Sequence, residues 1–273
     1  MSEVRARTKL SKWGELSSLE SGIDVIGDIA IVKLRPGSEG REGALAEAIL
    51  AEMRSVKCVY GQEGGIEGEF RLRKLRHLGG EERTTTVHKE NGIRLRLDVE
   101  TCYFSPRLST ERLRIAGQVA KGEKVLNMFA GVGPYSILIA KRTRVWSCEL
   151  NHAAFTFHLE NNRLNKVEDR IEMIEGDAML LPEELEGEGP FDRILMPHPS
   201  QSNLFLPAAV SMLAPGGVVH YYRHVSGEDV AEAEGTLKKE LSAIAPGLSV
   251  GSVRKVRAIG PRFIELVADL TAP

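Results

Sequence analysis

Residues 125–136 read VLNMFAGVGPYS, and the order of residue types in that stretch decides the fold. Val125, Leu126, Met128 and Phe129 form a hydrophobic run that ends in Ala130-Gly131-Val132-Gly133. A helix-like segment, 134–141, follows at once. A strand that runs into a glycine turn and then a helix builds a nucleotide-type pocket. The glycines let the backbone approach a ligand closely, and the helix N-terminus presents free N–H groups. The next apolar strand, 145–148, ends at Glu149, about 20 residues on, where an acid usually grips ribose hydroxyls. The stretch therefore predicts an adenosine-containing cofactor.

Downstream of residue 108 the pattern alternates. It predicts helix 110–120, strand 124–129, a helix, strand 145–149, helix 153–165, and strands 171–175 and 193–196. Helix 204–213, strand 217–223 and an amphipathic helix 228–244 follow. Two β-like stretches, 249–258 and 263–270, are joined by Gly260-Pro261 and are expected to pair antiparallel at the sheet edge. Alternating β and α units imply a doubly wound, mostly parallel sheet. Upstream, 24–34 alternates like a strand pair, 42–53 has helical spacing, and 57–60 and 84–88 are β-rich. Asn91-Gly92 marks a hairpin between 84–88 and 93–99. The expected organisation is an N-terminal extension (1–20), a small α+β domain (21–100) and a Rossmann-like catalytic domain (101–273).

The chain has 273 residues, 42% hydrophobic and 27% charged, which suits one or two domains with a sizeable core. A net charge of -2 does not by itself advertise a nucleic-acid partner. Cys58, Cys102 and Cys148 are widely spaced with no CxxC, which argues against a zinc site or a disulfide framework. Reduced cysteines suit the cytoplasm. The first residues are charged, with Arg5, Arg7, Lys9 and Lys12, and lack the apolar core of a signal peptide. No stretch approaches the ~18 apolar residues of a membrane helix, so no membrane partner is expected.

The glycine turn alone is a weak signal. Ser136 stands at the third glycine position, so the dinucleotide fingerprint is incomplete. Gly131 and Gly133 could serve tight helix–strand packing and nothing more. A further acid, Asp177 in Gly176-Asp177-Ala178, follows the third strand and could accept from an adenine amino group. A glycine turn, an acid after the second strand and a Gly-Asp after the third look like a class I S-adenosylmethionine (SAM) enzyme more than a nicotinamide enzyme. One departure is Asn127, where such enzymes usually carry Asp. Asn keeps an acceptor but loses the charge, so any contact there with the methionine ammonium is expected to be weaker or water-mediated.

The segment 103–112 (YFSPRLSTER), with Gly68-Glu69-Phe70-Arg71, 86–90 (TVHKE) and 129–134 (FAGVGP), closely resembles the archaeal and eukaryotic tRNA guanine-37 N1-methyltransferases. Their superfamily also includes the wybutosine-pathway aminocarboxypropyl transferase. The resemblance covers about residues 22–270. It implies a class I SAM-dependent fold preceded by a small α+β domain. It also implies SAM as cofactor and the tRNA anticodon stem-loop as partner; a monomer is expected, although the sequence does not reveal oligomeric state. By this resemblance Glu111 matches the general base for the guanine N1 proton, and Arg71 an arginine that holds guanine O6. Tyr103 and Arg107 flank the active site and cofactor. Phe129, Gly131 and Gly133 line the cofactor turn, Glu149 matches the ribose contact and Asp177 the adenine contact. For Glu111 the competing reading is a solvated first-turn acid beside Ser109 or Thr110 as cap.

Two features depart from the family. Where its methyltransferases carry Asn-Leu-Pro after the fourth strand, this chain has Pro197-His198-Pro199. Pro199 keeps the proline, Pro197 offers only a carbonyl, and His198 could supply an acceptor or proton relay. His198 could equally be an ordinary loop histidine. Only about 20 residues precede the shared region, which suits the aminocarboxypropyl transferases, whereas 105–108 and 68–71 suit the methyltransferases. Two basic groups, Arg71, Arg73, Lys74, Arg76, His77 and Arg83, then Arg254, Lys255, Arg257 and Arg262, could meet RNA phosphates. Tyr103 and Phe104 could stack on a flipped base, although Phe104 suits a core equally well. The leading expectation is N1 methylation of the guanosine 3′ of the anticodon. Aminocarboxypropyl transfer and a non-catalytic tRNA- or SAM-binding role are the alternatives.

Overall fold

A computed structural model describes residues 18–260 and 262–273. Arg5, Arg7, Lys9, Lys12 and Pro261 lie outside the described residues. The chain divides into two compact units, the first ending at Ser109 and the second spanning Thr110–Pro273.

In the first unit, β1 (Glu20–Ile26), β2 (Ile29–Leu34), β3 (Cys58–Glu67) and β4 (Leu72–Gly80) form one sheet in that order. Helix α1 (Glu42–Glu52) makes the crossover between parallel β2 and β3. It buries Leu45, Ala46 and Ile49 against Ala30, Val32 and Val59. β5 (Thr85–Glu90) and β6 (Ile93–Asp98) form a separate antiparallel ribbon. Its turn residues Asn91 and Gly92 have φ of 46° and 73°, as a two-residue turn with right-handed strand twist requires. β4 was not anticipated, because LRKLRHLGG reads as a basic run. Its charges are met by acids distant in sequence. Arg73 pairs with buried Asp24 at 3.0 Å, Arg76 with Glu42 at 3.0 Å and Glu63 at 3.1 Å, and Lys74 with Glu63 at 3.4 Å. Arg83 pairs with Asp28 and Glu81. Four members of the first basic group are thus engaged within the protein, which weakens the reading of that group as an RNA phosphate site.

In the second unit, α2 (Ser109–Gln118) leads into β7 (Val125–Asn127), α3 (Pro134–Ala140), β8 (Val145–Glu149), α4 (His152–Asn165) and β9 (Ile171–Glu175). The short α5 (Leu181–Glu184), β10 (Phe191–Met196), α6 (Ser202–Ser211), β11 (Leu213–Ser226), α7 (Val230–Ile244), β12 (Ser249–Gly260) and β13 (Phe263–Thr271) complete it. The seven strands lie in the order β12-β13-β11-β10-β7-β8-β9. β9 through β11 run parallel, and the β12–β13 hairpin joins β11 antiparallel, as its sequence predicts. Strand order reverses between β7 and β10, and ligands bind beyond the strand ends at such a reversal.

The two faces of this sheet differ in chemistry. Side chains alternate across a strand. On one face Leu126, Trp146, Cys148, Ile194, Met196, Val219, Tyr221, Leu266, Ala268 and Leu270 join a hydrophobic core with α6 and α7. The alternate positions carry Asn127, Ser147, Arg193, His220, Tyr222 and Glu265, all buried, and the half-buried Asp269. Buried groups of this kind must find partners.

Candidate functional site

The glycine turn sits at the reversal point. Met128 N–H donates to the Leu195 carbonyl at 3.0 Å, tying the end of β7 to β10. Gly131 and Gly133 have φ of 55° and 91°, the left-handed region that glycine enters without strain. Gly133 caps α3, followed by Pro134 at the first helical position. A Cβ at Gly133 would overlap the ring of His158 on α4. His158 is fully buried, neither ring nitrogen makes a hydrogen bond, and burial pushes its pKa down to about 3.

A histidine held neutral in the fold but free to protonate when unfolded gives stability that is present above the ordinary value of 6.5. That stability is lost as pH falls toward about 3. His158→Leu removes this term. Denaturant unfolding should show the wild type losing about 2 kcal/mol relative to the variant between about pH 7 and about pH 5. Parallel pH profiles would contradict the assignment.

Glu149 closes the pocket. Gly131 N–H donates to its Oε2 at 2.6 Å and Asn151 N–H to its Oε1 at 2.8 Å. Burial raises its pKa, and these two backbone donors offset part of the rise. Each oxygen keeps a lone pair for a further donor. Gly176 N–H donates to the Glu149 carbonyl at 3.2 Å, which sets the β9 turn beside it. There Asp177 Oδ1 accepts from Met179 N–H at 2.9 Å. Leu150, Met179 and Leu180 are exposed apolar side chains adjoining the two acids, and the sequence reading passed over them. Their position immediately after each acid was the available signal. These two carboxylates could accept from the hydroxyl and amino groups of an adenosine, with the apolar side chains beside them against its ring.

Asn127 is engaged inside the fold. It is fully buried, donates to Ser136 Oγ at 3.0 Å and accepts from Phe129 N–H at 3.4 Å, while Ser147 Oγ donates to Ser136 Oγ at 2.8 Å. Asn127 and Ser136, the residue at the third position of the glycine pattern, are thus bonded to one another.

Across the reversal point lies the turn after β10. The rings of Phe129 and His198 are 5.0 Å apart, and Phe205 packs on Phe129 at 4.9 Å. The His198 carbonyl accepts from Ser202 Oγ at 2.8 Å, and the Pro199 carbonyl accepts from His224 N–H at 3.0 Å. The turn is therefore fixed from both sides, and Pro199 is buried.

Glu111 lies on the first turn of α2, half-buried, and is not a solvated cap acid. Arg114 Nε and Nη2 donate to its two oxygens at 2.8 and 2.7 Å, and Tyr222 O–H donates to Oε1 at 2.8 Å. Tyr135 O–H donates in turn to Tyr222 Oη at 3.1 Å. Neither Tyr222 nor Arg114 figures among the sequence-derived candidates, although polar residues at alternate positions 220, 222 and 224 of a strand signalled a polar face.

The remaining candidates belong to the first unit. Arg71, at φ 56°, stacks its guanidinium over the Tyr103 ring at 4.5 Å. Arg107 donates to Asp24 Oδ1 at 2.7 Å. Burial would raise the Asp24 carboxyl, but Arg73 and Arg107 outweigh it and hold it below its ordinary value. Phe104 is buried against His88, which makes it a core residue and not a stacking platform.

The sheet order, the glycine turn at its reversal point and acids after the next two strands define a class I SAM-dependent methyltransferase fold. The chain belongs to the TRM5/TYW2 family. Residues 86–244 match the TRM5/TYW2 methyltransferase domain, and residues 8–84 match the TYW2 N-terminal domain. A Pyrococcus abyssi relative named tRNA (guanine(37)-N(1))-methyltransferase Trm5b is 44% identical over 75% of this chain, and the match spans 60% of that relative's length. A Saccharolobus solfataricus relative, tRNA 4-demethylwyosine(37)-methyltransferase Taw21, is 33% identical over 97% of this chain and 99% of its own. The crystal structure of P. horikoshii TYW2 in complex with MeSAdo superposes with a TM-score of 0.75 at 33% identity, covering 99% of this chain and 98% of that one.

Proposed function

We propose that this chain is a SAM-dependent tRNA methyltransferase that methylates N1 of guanosine 37, the nucleotide 3′ of the anticodon. The observation that carries the reading is the Glu111 carboxylate, fixed by Arg114 and Tyr222 on the helix that leads into the cofactor strand. SAM supplies an electrophilic methyl carbon when bound. Guanine N1 is a poor nucleophile while protonated, so a carboxylate that accepts this proton is the group the reaction needs. Glu149 and Asp177 hold the adenosine, and the Phe129–His198–Pro199 turn borders the reacting end. The chain works as a monomer in the cytoplasm on the anticodon stem-loop. Among the described residues no helix is long and apolar enough to cross a membrane.

Two in vitro transcripts test the substrate, one with guanosine and one with adenosine at position 37. Nucleoside mass spectrometry is expected to find N1-methylguanosine from the first and no methylation of the second. Methylation of both would overturn the base assignment. His198→Ala is expected to lower kcat about 10-fold with the KM for tRNA within about twofold. An unchanged kcat would make His198 a packing residue.

A second reading is transfer onto a wyosine precursor at the same nucleotide, either of methyl or of the aminocarboxypropyl group. The match of residues 8–84 to the TYW2 N-terminal domain favours it, as does the Saccharolobus solfataricus relative, which is nearly co-extensive with this chain.

A further inference from the structure

The polar face of the second unit's sheet continues behind Glu111 as an ordered line of charges. Arg114 Nη1, buried and without a hydrogen bond, has Asp269 Oδ2 at 3.6 Å. Asp269 Oδ1 lies 2.6 Å from His220 Nδ1, and Ser252 Oγ donates to Oδ2 at 2.9 Å. His220 Nε2 lies 2.7 Å from Arg193 Nη1, and Arg193 is held by Glu123 at 2.7 and 3.1 Å. Arginine can only donate, so His220 Nε2 accepts and its proton sits on Nδ1, facing Asp269. His220 is thereby a neutral link, in keeping with burial lowering its pKa. Charges then alternate from Glu111 through Arg114 and Asp269, past neutral His220, to Arg193 and Glu123.

This geometry gives Arg114 two anions to share. Its fork grips Glu111 through two hydrogen bonds, and it meets Asp269 through charge alone. We propose that Arg114 is the positioning residue for Glu111, and that Asp269, acting through Arg114, sets how strongly the carboxylate is held and so how readily it takes a proton. The proposal rests on the reading of Glu111 as the base. Tyr222 of β11 and Tyr135 of α3 also interact with Glu111, Arg112 of α2 and Glu265 of β13 act on Tyr135, and His220 of β11 and Asp269 of β13 act on Arg114. Tyr135 and Tyr222 stay protonated, because burial raises both. Arg114 is therefore the cation that pairs with both Glu111, at 2.7 Å, and Asp269, at 3.6 Å.

Opposite displacements of the acid limb of the rate profile distinguish this role from a merely structural one. Single-turnover methyl transfer is measured from about pH 4.5 to about pH 9 on variants whose melting point and SAM affinity have been checked. Arg114→Gln removes the cation, so Glu111 protonates more easily and the acid limb moves up by about one pH unit. Arg114→Lys keeps the charge but loses the fork, so the limb stays near that of wild type while the plateau falls. Asp269→Asn leaves Arg114 wholly to Glu111. The limb then moves down and the plateau drops about 10-fold, as for a weaker base. If Asp269→Asn fails to fold, the two Arg114 variants decide. An Arg114→Gln limb coincident with wild type overturns the proposal. Full turnover by Glu111→Gln would strike the base reading itself, whereas an inactive Glu111→Gln with unmoved limbs strikes this proposal alone.

Discussion

Glu111→Gln is expected to reduce turnover by about 100-fold or more while SAM affinity stays within about twofold. The amide keeps the shape of the carboxylate and can still accept from Tyr222, but it cannot take the N1 proton. It also loses the charge that matches Arg114. Because Glu111 belongs to α2 while Glu149 ends β8 and Asp177 follows β9, the substitution leaves the two proposed adenosine acceptors in place. The prediction therefore separates kcat from cofactor binding. Isothermal titration with SAM and single-turnover transfer on the same preparation measure both. Turnover equal to wild type would return Glu111 to a structural ion pair with Arg114.

Gly133→Val is the second large effect, and it acts through the cofactor pocket. At φ 91° a β-branched residue is strained by about 1–3 kcal/mol. Its Cβ would in addition displace the ring of His158, which is fully buried on a fully packed helix pair. Overpacking of that kind costs a further ~1–3 kcal/mol. The expected result is a melting point lower by about 10 °C and a loss of SAM binding of about 100-fold. A variant that melts within about 2 °C of wild type and still binds SAM would show that the turn tolerates a side chain.

Much of the second unit was readable from local pattern. The strands 145–149 and 171–175 are found at their predicted bounds, because short apolar runs between turns leave little choice of register. The hairpin at Asn91-Gly92 and the antiparallel β12–β13 edge were legible for the same reason. Strand β7 is shorter than predicted, ending at Asn127, since the chain already turns at Met128 toward β10. β4 was hidden, because a basic run reads as a solvated face until Asp24, Glu42 and Glu63 arrive from elsewhere in the chain. The compact units divide between Ser109 and Thr110.

The glycine turn was legible from single positions: Gly131 and Gly133 take left-handed φ values and the Gly131 N–H donates to Glu149. The site was not legible where meaning lies in a pairing. Glu111 looked like a helix-capping acid in isolation, and only Tyr222, 111 residues away in sequence, shows that it is held from β11. Asn127 read as a weakened ligand contact, and its amide is bonded to Ser136 and to the Phe129 N–H. The alternation of buried polar and buried apolar residues along β10, β11 and β13 was present in the sequence. Which helices cover the polar face was not.

The group transferred, and the atom that receives it, are decided by one measurement. The protein is incubated with unmodified guanosine-37 tRNA, and separately with tRNA carrying the wyosine precursor. SAM is labelled in its methyl group in one arm and in its aminocarboxypropyl group in the other. Methyl label recovered as N1-methylguanosine at position 37 of the unmodified tRNA is the predicted result. Label absent from that tRNA, or aminocarboxypropyl label on the precursor tRNA, would contradict it.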